Sequence, residues 1–279
     1  MTAIPSPTQE EKGRLFRALH AAPGCFVIPN PWDAGSARLL ASLGFSALAT
    51  SSGAAAGVLG RRDGEIARDE ALAHVRAIAA ATALPVSADL ERGFGDDPAT
   101  VAETIRLAAG AGAVGGSIED ATGSAERPLY ALPLAVERVA AAVEAARALP
   151  FPFTLTARAE GFLRGGGDLG EVIARLQAFE RAGADVLFAP GLPDLDAVRA
   201  VCGAVSRPVN FMIAIRGRSF SIAELASAGV RRVSLATSLY RAAMTGLLAA
   251  AREVKEQGTC HYLETVLSTV EINQVISGG

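Results

Sequence analysis

One pattern constrains this chain more than any other. A short apolar run, a polar turn and a stretch of helical length follow one another eight times. The apolar runs are Cys25–Pro29, Phe45–Ala49, Leu84–Ala88, Ala113–Ile118, Phe153–Ala157, Ala184–Ala189, Pro208–Ile213 and Val230–Ala236. Runs this short and this continuously apolar read as strands buried on both faces, as in a parallel sheet. Between them, Gly13–Ala21, Ala34–Leu43, Asp69–Ala81, Pro98–Ala109, Ile222–Ala228 and Ser238–Gln257 read as helices. Leu132, Val136, Val139, Val143 and Ala146 recur at helical spacing, Val172, Leu176 and Phe179 mark another helix, and one more starts near Asp194. Asp33 and Asp168 are candidate N-caps, and Asp97-Pro98 reads as a helix start. Eight such alternations predict an α/β fold, a (β/α)8 TIM barrel, with an open doubly wound sheet as the alternative. No G-x-G-x-x-G opens a helix, and Gly165-Gly166-Gly167 reads as a mobile loop.

The 279 residues suit a single domain, 1–279, with 1–12 a frayed tail and 259–279 an apolar, helix-like extension. Half the residues are apolar, largely alanine, yet no apolar run reaches the roughly 18 residues of a membrane span. The first twelve residues are polar with two prolines and do not read as a signal peptide. Cys25, Cys202 and Cys260 are odd in number and far apart, which fits free thiols in a reducing cytosol. A net charge of −3 with both signs scattered gives no sign of a nucleic-acid face.

In such a barrel chemistry sits at the C-terminal strand ends. The polar residues there are Asn30, Trp32 and Asp33; Thr50–Gly53 with Asp63 beyond; Asp89 and Glu91; Glu119 and Asp120; Arg158 and Glu160; and Asn210. Several carboxylates on one rim repel one another, and a hard divalent cation with oxygen ligands relieves this. Each acid taken singly also reads as a cap or loop charge. Trp32 reads first as packing and then as a substrate contact. His20 and His74 read as helix-surface residues, His261 as ordinary packing beside Cys260, and Tyr240 as a residue that could reach the pocket.

These residues also resemble a family. Asp89-Leu90-Glu91-Arg92-Gly93-Phe94-Gly95 is similar to the D-x-D-x-G-Y-G loop of the isocitrate lyase/phosphoenolpyruvate mutase superfamily. Ile118-Glu119-Asp120 resembles its I-E-D, Thr156-Ala157-Arg158 its N-A-R, and Asn30–Ala34 its N-x-W-D-A. Thr50–Gly53 with Asp63, Ala182–Asp185 with Pro190-Gly191, and Pro208–Asn210 fit as well. The resemblance implies Mg²⁺ (Mn²⁺ possible in its place) on Asp89, with Asp63, Glu91 and Glu119 around it, partly through water. It implies that the backbone of Ser52, Gly53 and Ala54, together with Arg158, grips a 2-oxo acid whose enolate the metal stabilises. Arg158, Asp63 and Glu91 are then the catalytic candidates, with Trp32 and Asn210 beside the substrate.

The departures narrow the chemistry. Lyases of the superfamily carry K-x-C-G-H after I-E-D, whereas Ala121–Tyr130 here reads A-T-G-S-A-E-R-P-L-Y, without Cys or His. The Lys and Asn of the mutase loop are missing too. Glu91 replaces the second Asp of the metal loop, Ser117 and Thr156 stand where the superfamily has Asn, and Arg92 has no evident reason. The resulting expectation is a Mg²⁺-dependent lyase or decarboxylase on a small 2-oxo or 2-hydroxy acid, oxaloacetate first. A phosphonopyruvate mutase or hydrolase and a non-catalytic 2-oxo-acid-binding protein are the alternatives. The apolar residues Tyr262, Leu263, Val266, Leu267, Val270, Ile272 and Val275 predict a partner surface. The resemblance implies that this helix is exchanged within a homodimer or homotetramer.

Overall fold

The computed structural model describes residues 7–277. Its eight strands are β1 (Phe26–Ile28), β2 (Leu48–Ala49), β3 (Val86–Asp89), β4 (Gly115–Glu119), β5 (Thr154–Arg158), β6 (Val186–Phe188), β7 (Val209–Met212) and β8 (Arg232–Ser234). All pair in parallel, in the order β1-β8-β7-β6-β5-β4-β3-β2. The remaining seam, between β1 and β2, is bridged where the Ala49 amide donates to the Pro29 carbonyl at 3.0 Å. Asn30 reinforces that corner. Its Nδ2 donates to the Thr50 carbonyl and its Oδ1 accepts from the Leu235 amide, both at 2.9 Å. The sheet is therefore a nearly closed barrel with helices between its strands, as the alternation predicted.

The helices are α1 (Gln9–Ala21), α2 (Ala34–Ser42), α3 (Ser52–Val58), α4 (Arg68–Ala81), α5 (Pro98–Gly110), α6 (Leu132–Arg147), α7 (Gly161–Arg164), α8 (Leu169–Arg181), α9 (Leu195–Ala204), α10 (Ile222–Ser227), α11 (Ser238–Gln257) and α12 (Thr269–Ser277). The acids expected to cap do so. Asp33 accepts from the Ser36 amide at 2.7 Å, Asp168 from Glu171 at 2.6 Å and Asp194 from Ala197 at 2.8 Å. One expectation needs correction. The tail 1–12 is too long: residues 1–6 lie outside the described residues, but helix α1 begins at Gln9. A capping box starts it, with Thr8 and Glu11 each bonding the other's amide. The segment after β2, to which the sequence reading assigned no element, forms α3 with Ser51 as its N-cap.

Strand alternation sorts the core. Leu48, Ala88, Leu155, Leu187, Val209 and Val233 face outward, and each is at most 2% exposed beneath the helices. The lower end of the barrel is closed by Phe16 of α1, fully buried with Ile28, Ala47 and Val114. Burying one such side chain is worth about 2–3 kcal/mol. Gly115 makes room for it, since a Cβ there would lie 2.6 Å from the Phe16 ring and 2.9 Å from the Thr154 carbonyl. Against expectation, His20 of the same helix is buried too.

Beyond the barrel, α11 ends at Gly258 in the left-handed conformation (φ 69°), and α12 lies back against α2. The linking residues include a short 3-10 turn, His261–Glu264. This region exposes Leu247, Leu248, Val254, Leu263, Val266, Leu267 and Val270, each 45% or more. No helix of the described residues is long and apolar enough to cross a membrane.

Candidate active site

The loop after β3 is the most constrained in the molecule. Glu91 (φ 50°), Gly93 (φ 79°) and Phe94 (φ 62°) lie in the left-handed region. For non-glycine residues that costs roughly 1–2 kcal/mol each, so the surroundings must impose it. Arg138 of α6 does much of this. Only 1% exposed, it donates to the carbonyls of Gly95 (2.7 Å), Asp96 (2.5 Å) and Arg92, and stacks 4.1 Å over the Tyr130 ring. The Tyr130 hydroxyl donates to Asp96, and Thr104 Oγ1 donates to the Gly93 carbonyl at 2.9 Å. Arg92 now has a reason: its Nη1 bonds Asp96 (3.1 Å) and the Thr122 carbonyl (2.9 Å), tying this loop to the one after β4.

Acids at the ends of β3, β4 and β5 converge on Arg158. Arg158 Nη1 reaches Asp89 Oδ1 at 3.2 Å, and its Nη2 reaches Glu119 Oε2 at 3.2 Å and Glu160 Oε1 at 2.8 Å. The guanidinium also lies 5.0 Å from the Phe188 ring centre. Burial opposes its charge, but Glu160, Glu119 and Asp89 outweigh burial and hold its pKa above the ordinary arginine value. The acids pay the reverse penalty. Burial, then Asp89 and Asp63, push Glu91 up to about 7 against the pull of Arg92 and Arg158. Burial likewise drives Glu119 well above the usual carboxylate range, with Arg158 opposing and Glu160, Asp89 and Glu91 adding repulsion. Asp120 is a buried support: it accepts from the Glu160 amide (2.8 Å) and pairs with Arg175 (3.2 Å).

These groups face a cavity of about 340 Å³ at the C-terminal ends of the strands, large enough for a small acid. Asp89, Glu91, Glu119, Arg158, Ser52 and Asn210 line it, and Asp63 stands exposed at its edge. The Ser52 amide donates to Asp89 Oδ2 at 3.0 Å. Trp32, Gly53 and Ala54 stand behind the wall. Trp32 packs edge-on against Tyr240, with ring centres 5.8 Å apart, and its carbonyl bonds half-buried His74 at 2.9 Å. A Cβ on Gly53 would come 3.0 Å from Thr237 and 3.2 Å from Asp63. Asn210 Oδ1 accepts from Arg232 (2.8 Å), and its Nδ2 donates to Ser234 (3.0 Å). No residue of Ala121–Tyr130 lines the cavity.

Among the described residues no three acids converge into a ready-made metal cage. The donor set nevertheless fits a hard cation that takes one or two carboxylates and keeps waters. Glu91 Oε1 is buried with no hydrogen-bond partner among the described residues, and Asp89 stands close enough to Glu91 and Glu119 to raise the pKa of both. Sequence reading missed Phe188, Arg138 and Arg232 as parts of the site. The alternation T-L-T-A-R in β5 and R-V-S in β8 was the available signal, because a polar residue at every second position marks an inward-facing polar row.

Comparison with known proteins agrees with this geometry. The family model for phosphoenolpyruvate phosphomutase matches residues 16–255. A crystal structure from Burkholderia cenocepacia, described as a lyase or mutase, superposes with a TM-score of 0.93 at 56% identity, covering 95% of each chain. The 2-methylisocitrate lyase of Escherichia coli is 33% identical over 240 residues, 82% of this chain and 80% of that enzyme. An oxaloacetate decarboxylase of Bradyrhizobium diazoefficiens is 32% identical over 201 residues, 70% of this chain and 68% of that enzyme. A barrel with its acids gathered at the ends of the third, fourth and fifth strands, matched along most of its length by these proteins, belongs to the isocitrate lyase/phosphoenolpyruvate mutase superfamily.

Proposed function

We propose that this chain is a Mg²⁺-dependent carbon–carbon lyase or decarboxylase acting on a small 2-oxo or 2-hydroxy acid, oxaloacetate first. The observation that carries the reading is the set of buried acids around Arg158, with the unpartnered Glu91 Oε1 beside them. In this reading Asp89 holds the metal, Mg²⁺ or Mn²⁺, and Asp63, Glu91 and Glu119 surround it. Bound there, the cation would polarise the 2-oxo group and neutralise the charge that develops as the bond at C3 breaks. Arg158 takes the substrate carboxylate in its planar fork and fixes its plane, with the backbone of Ser52, the member of Ser52-Gly53-Ala54 that lines the cavity, on the same carboxylate. Phe188 covers the Arg158 guanidinium on one side. Glu91, whose Oε1 has no hydrogen-bond partner among the described residues, is placed to exchange a proton with the substrate or a water there. Decarboxylation suits the site because Ala121–Tyr130 brings no Cys or His to the cavity. Trp32 and Asn210 position their neighbours, Tyr240 and Ser234.

The match to the phosphoenolpyruvate phosphomutase model favours one second reading, phosphonopyruvate chemistry. Proton and phosphorus NMR with Mg²⁺ and an EDTA control separates the two. EDTA-sensitive pyruvate from oxaloacetate supports the first reading, and phosphate from phosphonopyruvate the second. Binding of a 2-oxo acid without turnover of either would mean a non-catalytic binder. The exposed apolar residues of α11 and the tail support a homodimer or homotetramer that exchanges α12 between copies. Sedimentation as a monomer at micromolar concentration would count against that. The free thiols Cys25, Cys202 and Cys260 support a cytoplasmic location.

A further inference from the structure

The interior of a (β/α)8 barrel is ordinarily filled by branched apolar side chains. Here Ser87, Ser117, Thr156, Asn210, Arg232 and Ser234 occupy inward positions, and all but Thr156 line the cavity. Arg232 is the unusual member. It is 5% exposed, and none of the described acids forms an ion pair with it. Its partners are all neutral: Asn210 Oδ1 at 2.8 Å, Thr156 Oγ1 at 3.0 Å and His20 Nε2 at 3.3 Å. The histidine is neutral by construction. Its Nδ1–H donates to the Phe16 carbonyl at 2.8 Å, and burial together with Arg232 pushes its pKa down to about 3. Burial lowers the guanidinium itself to about 9, so it stays charged at neutral pH. Of the five N–H groups a guanidinium carries, three are engaged, and the remaining two have no acceptor among the described residues.

The two buried cations of the cavity thus differ in kind. Arg158 meets three carboxylates, whereas Arg232 meets none among the described residues. A buried charge left uncompensated is strongly destabilising, so a cation held only by dipoles at the wall of a cavity calls for an anion from outside. Thr156 lies two residues below Arg158 on the same inward row, roughly 7 Å along the strand. A group bonded to Thr156 is therefore one layer deeper than the carboxylate cluster, within the span of a short diacid.

We propose that the inner end of the cavity is an anion subsite built on Arg232, Asn210 and Thr156, which takes the second carboxylate of a dicarboxylic 2-oxo acid. Thr156 is one of the positions where the chain departs from its superfamily. Its hydroxyl accepts from Arg232 and so helps to build this subsite. The identity of the anion rests on the functional reading above, but the subsite itself is testable without turnover.

The test is calorimetric titration of the wild type and of Arg232→Met in EDTA, with malonate, succinate, pyruvate and chloride. With EDTA present Arg158 is saturated by its own carboxylates, so Arg232 is the cation left to bind. The expected result is that malonate or succinate binds the wild type at least tenfold more tightly than Arg232→Met, and that pyruvate, whose single carboxylate uses the same cation, loses affinity in the same direction. Displacement of either diacid by chloride in the wild type would support an anion subsite at Arg232; equal binding of all ligands to both proteins would overturn the subsite. Should Arg232→Met fail to fold, Arg232→Lys keeps the charge and is expected to keep diacid binding within a fewfold. A bromide soak of wild-type crystals gives an independent reading: an anomalous peak beside the Arg232 guanidinium supports the subsite, and peaks elsewhere alone overturn it. An inactive protein that still binds diacids through Arg232 would refute the functional reading and leave the subsite standing.

Discussion

Replacing Arg138 with methionine tests how the β3 loop is held in a conformation its own residues disfavour. Methionine keeps most of the buried stem and removes the donors to the Arg92, Gly95 and Asp96 carbonyls. Hydrogen bonds from a charged donor are worth about 1.5–3 kcal/mol each, but these carbonyls belong to half-buried or exposed residues that water can reach. Relief of the guanidinium's own desolvation offsets part of the loss. The net expected cost is about 2–4 kcal/mol, or roughly 4–12 °C in Tm for a domain of this size. Glu91 and Phe94 together store roughly 2–4 kcal/mol of left-handed strain, which the freed loop releases by leaving its native path. Mn²⁺ affinity, read by electron paramagnetic resonance, is therefore expected to fall at least tenfold along with stability. Tyr130→Phe, which removes one hydroxyl on an exposed acid, is the control and should cost less than about 1 kcal/mol. An Arg138→Met protein within about 0.5 kcal/mol of wild type in urea, with unchanged Mn²⁺ affinity, would refute the argument.

Other outcomes follow from the same packing and charges. Glu91 and Glu119 have folded pKa values raised above their unfolded ones, so their contribution to stability is complete below about pH 4.5 and is lost as pH rises through 7. In EDTA the urea midpoint should fall between pH 5 and 8, with about 1–2 kcal/mol from half-exposed Glu91 after solvent screening. Added Mg²⁺ should flatten the slope, and a midpoint that rises over this range would contradict the buried-acid account. Gly115→Ala should cost about 1–3 kcal/mol by driving a methyl into Phe16 and the Thr154 carbonyl, measurable as a lower Tm.

The strands were legible because burial on both faces makes them continuous apolar runs, and their number gave away the barrel. Their lengths were less legible. Phe45–Ala49 shrinks to Leu48–Ala49 because Phe45 packs against the outer cluster instead of joining the ladder. The run Ser52–Val58 hid a helix, since small residues and two glycines carry no amphipathic period. The first turn of α1 looked like a tail, although Thr8 and Glu11 already spelled a capping box. Rim acids could be read from their places at strand ends. Arg138 and His20 could not, because helical periodicity assigns charged and polar residues to the solvent side; Arg232 was overlooked although R-V-S in β8 marks it as inward-facing. Each is buried by partners distant in sequence: Arg138 by the β3 loop, and His20 and Arg232 by one another across the floor of the barrel.

The central claim is that the acids around Arg158 form one cation site shared with a 2-oxo acid. Electron paramagnetic resonance of Mn²⁺, titrated into the wild type and Asp89→Asn with and without oxalate as an enolate-shaped ligand, measures this directly. The account predicts one Mn²⁺ per wild-type chain, bound more tightly with oxalate, and loss of that binding in a folded Asp89→Asn protein. Mn²⁺ binding that ignores both oxalate and the substitution would contradict it.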